Sequence, residues 1–180
     1  MDARAVSRLT VLDPDGEEVR LGSQWRERPA VIVWLRHFGC LFCREQVRAF
    51  RAVLPEIERR GARLVFVGNG GLHHLQQFVS EEHITVPAFT DPALRTYRAI
   101  GAQSGVLRTL GPQSLRASLR ALRTGVRQGA VQGRPFQQGG VLVVLPGDRI
   151  VFTHLSRTAG DHPAVDAVLR SLPAPQRAAS

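Results

Sequence analysis

The sequence predicts an α/β domain in which a central mixed sheet is flanked by helices. Three observations carry this. Short apolar, β-branched runs such as Val31-Ile32-Val33-Trp34-Leu35 and Arg63-Leu64-Val65-Phe66-Val67 read as buried strands. Between them, Val47, Phe50, Val53, Leu54 and Ile57 recur at helical spacing. At the junction of the first strand and that helix lie the only two cysteines, in Gly39-Cys40-Leu41-Phe42-Cys43.

The elements follow in chain order. Leu9–Leu12, the turn Asp13-Pro14-Asp15-Gly16 and Glu18–Leu21 form an N-terminal hairpin, an extension over residues 1–28. The main domain is expected over 29–172, with a strand over 31–36, a helix running to Arg60 and Gly61 as its C-cap. The strand from Arg63 to Val67 completes a βαβ unit. A helix over Leu72–Glu82 and a strand over Val86–Thr90 come next. Asp91 is the expected N-cap, and Pro92 the first residue, of a helix reaching Ile100. Gly139 and Gly140 introduce a hairpin of Val141–Leu145 and Ile150–Leu155 around Pro146-Gly147-Asp148. A last helix covers Ala164–Leu172, before a flexible tail over 173–180. Strand, helix, strand, helix, hairpin, helix, with cysteines at the start of the first helix, is the order of a thioredoxin-like fold. A basic helical insertion, about 104–135, interrupts it before the hairpin.

With 180 residues and 43% apolar content, the chain can bury a core without disulfide staples. No apolar stretch approaches the length of a membrane span or forms a signal peptide, so an integral membrane protein is not expected and the cytoplasm is the expected location. The net charge is +9, and every basic side chain other than histidine is arginine. From Pro92 to Gly147 there is no carboxylate, yet Arg95, Arg98, Arg108, Arg116, Arg120, Arg123, Arg127 and Arg134 fall there. Leu115, Leu119, Leu122 and Val126 form a stripe beside four of these arginines. The segment reads either as a helix packed by its leucines with arginines in water, or as an entrance attracting an anionic lipid substrate or surface. A nucleic-acid partner is not expected, because no aromatic residue lies between Tyr97 and Phe136 to stack on bases.

The cysteine pair points to redox chemistry. Cys40 falls at a helix start, where free N–H groups and the helix dipole favour a thiolate, and Cys43 lies in the first turn, close enough to form a disulfide with it. Arg36, His37 and Arg44 add positive potential nearby. A structural bridge over so small a loop would constrain little, and two thiols with histidines at no recognisable spacing make a poor zinc site, so no metal and no bound cofactor is expected. Inert buried thiols remain the plain alternative. Cys40 is expected to be the more exposed nucleophile and Cys43 the resolving thiol. Arg36 either stabilises the thiolate and a peroxide oxygen or pairs with a carboxylate such as Glu45, and His37 is either an acid or a solvated loop residue.

Leu35-Arg36-His37-Phe38-Gly39-Cys40-Leu41-Phe42-Cys43-Arg44-Glu45, Gly61–Gly68, Gln138–Val144 and Gly160-Asp161 together resemble the peroxiredoxin-like branch of the alkyl hydroperoxide reductase and thiol-specific antioxidant superfamily, over about Pro29 to Leu172. The resemblance implies thiol-based reduction of peroxides or endoperoxides, with a thioredoxin-type reductant and ultimately NADPH supplying electrons. It places His37, Phe38, Gly139 and Gly140 beside the substrate. Two departures stand out. Gln138-Gly139-Gly140 replaces the proline that precedes the hairpin in thioredoxins. In the peroxiredoxin pattern Pro-x-x-x-Thr-x-x-Cys, Cys40 takes the threonine place and Cys43 the peroxidatic place, which leaves the choice of nucleophile open. The alternatives are a thioredoxin-like disulfide reductase and, in another class, a non-catalytic module that senses redox state or binds an anionic partner.

Overall fold

A computed structural model of the chain describes residues 1–104 and 136–175. Among these residues the elements are α1 (Ala3–Ser7), β1 (Thr10–Leu12), β2 (Glu18–Arg20), a 3₁₀ turn (Leu21–Trp25), β3 (Ala30–Trp34), α2 (Leu41–Ala52), α3 (Leu54–Arg59), β4 (Arg63–Gly68), α4 (Leu72–Glu81), β5 (Ala88–Thr90), α5 (Arg95–Ala99), β6 (Gly140–Leu145), β7 (Arg149–Leu155) and α6 (Val165–Ser171). The strands form one mixed sheet in the order β2-β1-β5-β4-β3-β6-β7. β3, β4 and β5 run parallel, as the βαβ crossover requires, while the hairpins at either end add antiparallel strands. This is the thioredoxin-like α/β fold.

β3 is the axis of the sheet. It pairs with β4 on one side and β6 on the other, and all five of its residues are buried. Strand alternation divides its side chains between two cores. Val31 and Val33 face α2, α3, α4 and α6, together with Phe38, Cys40 and Cys43. Ile32 and Trp34 face α1, the 3₁₀ turn and α5, with Trp25 and Tyr97.

The N-terminal hairpin is continuous with this architecture: β1 pairs with β5 at Leu12 and Thr90, and Val6, Leu21 and Trp25 are buried in the second core. The helix expected to reach Arg60 is broken at Val53, where Pro55 cannot supply an N–H and instead occupies the first turn of α3. Asp91 caps α5, but from a distance. Its carboxylate accepts from the backbone of Arg95 and Thr96 at 3.1 and 2.7 Å, while Pro92 lies in a preceding turn and Leu94 takes a left-handed φ of 56°. The insertion expected over 104–135 lies outside the described residues apart from Ser104, which bridges Gln137 at its base. The last five residues of the expected tail are also outside them.

Gly139 and Gly140 are required by close backbone approach. A Cβ on Gly139 would stand 2.0 Å from the Trp34 carbonyl oxygen, and one on Gly140 would stand 2.8 Å from that of His154. They sit at the seam where β6 enters between β3 and β7, a structural demand that stands whatever part they take at the site. Gly139→Ala is therefore expected to cost about 2–4 kcal/mol, because neither backbone partner can move without breaking the sheet. The shift of the urea unfolding midpoint measures it.

Candidate active site

Beyond Trp34 the chain leaves the sheet and forms the loop that carries Arg36, His37 and Phe38 to the start of α2. Cys40 is the N-cap, with extended backbone angles of −75° and 124°, and Cys43 occupies the first helical turn. The Cys40 N–H donates to the His37 carbonyl at 3.2 Å, closing the loop, and the Arg44 N–H donates to the Cys40 carbonyl at 3.0 Å, opening the helix. Both thiols are free.

Two groups of Arg36 face the two sulfurs. Its backbone N–H donates to Cys43 Sγ at 3.2 Å, and its guanidinium Nη1 donates to Cys40 Sγ at 3.5 Å. Arg36 itself is only 5% exposed. Of the two roles open in the sequence, the geometry places it at the thiol. The thiols are correspondingly unequal. A hydrogen bond from the Cys43 thiol brings the pKa of Cys40 down to about 6; burial opposes this, and the Arg36 charge and the N–H groups of Phe42 and Cys43 assist it. Cys43 is pushed up, chiefly by burial and then by donating its proton to Cys40. The electrostatics thus place a thiolate on Cys40 and a proton on Cys43.

Four expectations are corrected. Cys40 is not exposed: it is 3% accessible and packs in the first core with Ala159 and Phe38. His37 is not a solvated loop residue: it is 4% exposed, and burial, followed by the Arg36 charge, lowers its pKa to about 4. Its Nδ1 meets no hydrogen-bond partner among the described residues. Phe38, expected beside substrate, is 1% exposed and packs on Phe78 with ring centroids 5.1 Å apart, over the bare face of Gly68. Arg44 does not lend its charge to the thiols: it pairs with Glu81 at 2.6 Å and Glu82 at 3.2 Å on the far side of α2.

A cavity of about 620 Å³ opens at the end of β7, lined among the described residues by Gln103, Thr153, His154, Ser156, Arg157 and Asp161. It lies at the same end of the sheet as the thiols. The Ser156 N–H donates to the Gly139 carbonyl at 3.1 Å, and His162 at the end of the same loop meets the Phe42 carbonyl at 3.1 Å. His154 and Asp161 approach to 3.2 Å and brace that loop. Sequence reasoning did not single out this group for the site. Among the described residues, no cluster of three or more His, Cys, Asp or Glu is placed to hold a metal ion.

Comparison with known proteins agrees with this arrangement. The sequence model of the AhpC/TSA antioxidant enzyme family matches residues 49–158. The chain belongs to that family. The matched span begins after β3 and after Cys43, so the membership it shows does not depend on the cysteines. Human peroxiredoxin-like 2C is 34% identical over 93% of this chain and 79% of its own length. Human prostamide/prostaglandin F synthase is 29% identical over 87% of this chain and 81% of its own length. Among solved structures, the Xanthomonas campestris bacterioferritin comigratory protein superposes with a TM-score of 0.68 at 16% identity, covering 95% of this chain and 94% of that one. A putative DsbE from Chlorobium tepidum superposes with a TM-score of 0.60 at 10% identity, covering 93% and 92%, and supports the fold. Within the AhpC/TSA family this chain is thus a peroxiredoxin-like thiol protein.

Two titrations follow. Absorbance of the thiolate should rise with a midpoint near pH 6; Arg36→Ala and Cys43→Ala should move it upward, whereas Cys43→Ser, which keeps a donor, should move it less. Burial of neutral His37 has the opposite consequence for stability. Between pH 6.5 and 4 the unfolded chain binds the His37 proton and the folded chain does not, so stability falls as pH is lowered through this window. The full contribution is about 3 kcal/mol, and His37→Gln should flatten that part of the urea-denaturation profile.

Proposed function

We propose that this protein is a thiol peroxidase that reduces organic hydroperoxides or endoperoxides through a Cys40/Cys43 dithiol cycle. The observation that carries the reading is the unequal pair: Cys40 is favoured as thiolate by Arg36 and by the Cys43 thiol, which retains its own proton. The thiolate is the attacking species, and the adjacent thiol resolves the oxidised sulfur as it gives up its own proton.

In the first step the Cys40 thiolate attacks the terminal oxygen of the hydroperoxide. An S–O bond forms, the O–O bond breaks, and the alkoxide takes a proton to leave as the alcohol. Sulfur is oxidised by two electrons to sulfenic acid, and the peroxide is reduced. Cys43 then displaces the oxygen of the sulfenic acid, losing its thiol proton, so that water and the Cys40–Cys43 disulfide result. A dithiol donor of the thioredoxin type, recharged from NADPH, would restore both thiols by exchange. Arg36 is placed to hold a peroxide oxygen by a charge-assisted hydrogen bond as well as to favour the thiolate. His37, neutral at physiological pH, would offer an uncharged ring nitrogen beside it. The cavity at the same end of the sheet supports an organic substrate, since its volume far exceeds that of hydrogen peroxide, although its described lining includes neither thiol.

Rapid mixing of the reduced protein with hydrogen peroxide and with a bulky organic hydroperoxide tests this reading. Wild type should be oxidised in a second-order reaction, faster by the organic peroxide. Cys40→Ser should lose the reaction, and Cys43→Ser should undergo one oxidation, to a sulfenic acid trapped by dimedone, without turnover. Reaction of neither peroxide, with rapid reduction of a protein disulfide instead, would make the protein a disulfide reductase.

A further inference from the structure

We infer that Asn69 and Tyr97 are positioning residues that set the direction in which Arg36 presents its two donors to the thiols. The inference rests on the proposed role of Arg36 at Cys40, and it concerns residues that neither the cysteine motif nor its flanks contain.

The physical problem is at the end of β3. Leu35 and Arg36 follow the last residue paired in the sheet, so their carbonyls lose the ladder that satisfies Ala30–Trp34. In a buried loop, carbonyls without partners are costly, and they are free to rotate until something holds them. Two side chains from elsewhere do so. The Tyr97 hydroxyl, from α5, donates to the Leu35 carbonyl at 2.6 Å and lies 3.1 Å from the Val67 carbonyl. Asn69, just beyond β4, donates through Nδ2 to the Arg36 carbonyl. The two side chains thus hold consecutive carbonyls of the same loop, Tyr97 that of Leu35 and Asn69 that of Arg36.

The chain of contacts leads directly to sulfur. With the carbonyls on both sides of the Leu35–Arg36 peptide pair fixed, the Arg36 N–H points at Cys43 Sγ and its guanidinium reaches Cys40 Sγ. Asn69 is 1% exposed and Tyr97 is fully buried, and their contacts to this loop are to its backbone carbonyls, so both act through Arg36. The hydroxyl of Tyr97 is the decisive atom. A core-filling role would need only its ring, and phenylalanine would then serve as well. α5 is itself anchored against the same strand: Asp91 accepts from the Thr96 hydroxyl at 2.6 Å, and Trp34 Nε1 donates to that hydroxyl at 3.0 Å. The position of Tyr97 is thereby tied to β3.

The test is a double-mutant cycle read by the pH dependence of Cys40 alkylation with iodoacetamide, which reports the thiolate whatever the physiological oxidant. Tyr97→Phe and Asn69→Ala are each made in wild type and in Arg36→Ala, with thermal melting followed in parallel. Each single change should move the alkylation midpoint upward by about half a unit to one unit. In the Arg36→Ala background the same changes should have less than about half that effect, because the group they aim is gone. Equal shifts in both backgrounds, or no shift in a folded variant, would overturn the assignment. Unfolding of both variants would overturn it too, by making the pair essential to the fold alone. If the peroxidase reading fails instead, peroxide will not oxidise the wild type while the alkylation cycle still gives its answer.

Discussion

The reactive centre depends on how one strand ends. β3 is hydrogen-bonded on both sides along its length, and the next two residues must find partners for backbone groups in a site closed to water. The solution is heterogeneous. The Leu35 N–H goes to the Val67 carbonyl at 2.8 Å, the Leu35 carbonyl to a tyrosine, the Arg36 carbonyl to an asparagine and the Arg36 N–H to a cysteine sulfur. Satisfying the backbone and activating the thiol are the same act here, because the last of these partners is part of the reactive pair.

Competition between burial and hydrogen bonding decides which thiol ionises. Burial alone would raise both cysteines, and it dominates at Cys43. At Cys40 the N-cap position adds first-turn N–H groups, Arg36 adds charge, and Cys43 adds its own proton, which together outweigh burial. The two residues are only a turn apart, yet their surroundings push their pKa values in opposite directions. Arg44 is not among the groups that set that division; it is paired instead with Glu81 and Glu82 at the C-terminal end of α4.

What was legible in the sequence was local. The apolar run before the cysteines, the helical spacing after them and the two glycines before the hairpin each state a preference that the fold obeys. The break at Val53 was present in Pro55 and was overridden by continuous apolar spacing on either side. The start of α5 was misplaced because Asp91 and Pro92 are a strong helix opening, whereas the side chain of Asp91 caps from across a turn with Leu94 in a left-handed conformation. His37 was expected in solvent from the ordinary surface preference of histidine; its enclosure beside Arg36 comes from the closing of the fold, which no local pattern states. Asn69 and Tyr97 carried no signal, since their meaning arises when α5 and the end of β4 meet Leu35 and Arg36 across more than thirty residues of sequence.

The enclosure of Cys40 bears on how the proposed cycle would end as well as on how it begins. A sulfenic acid is vulnerable to a second oxidant, which takes sulfur on to the sulfinic level that dithiols cannot reverse. In this protein the first oxidant must enter a site where the sulfur is 3% exposed, and Cys43 is already in contact with that sulfur. Resolution is intramolecular, whereas overoxidation requires a second entry. In the proposed cycle the packing that encloses Cys40 would therefore also shield its oxidised form from a second oxidant.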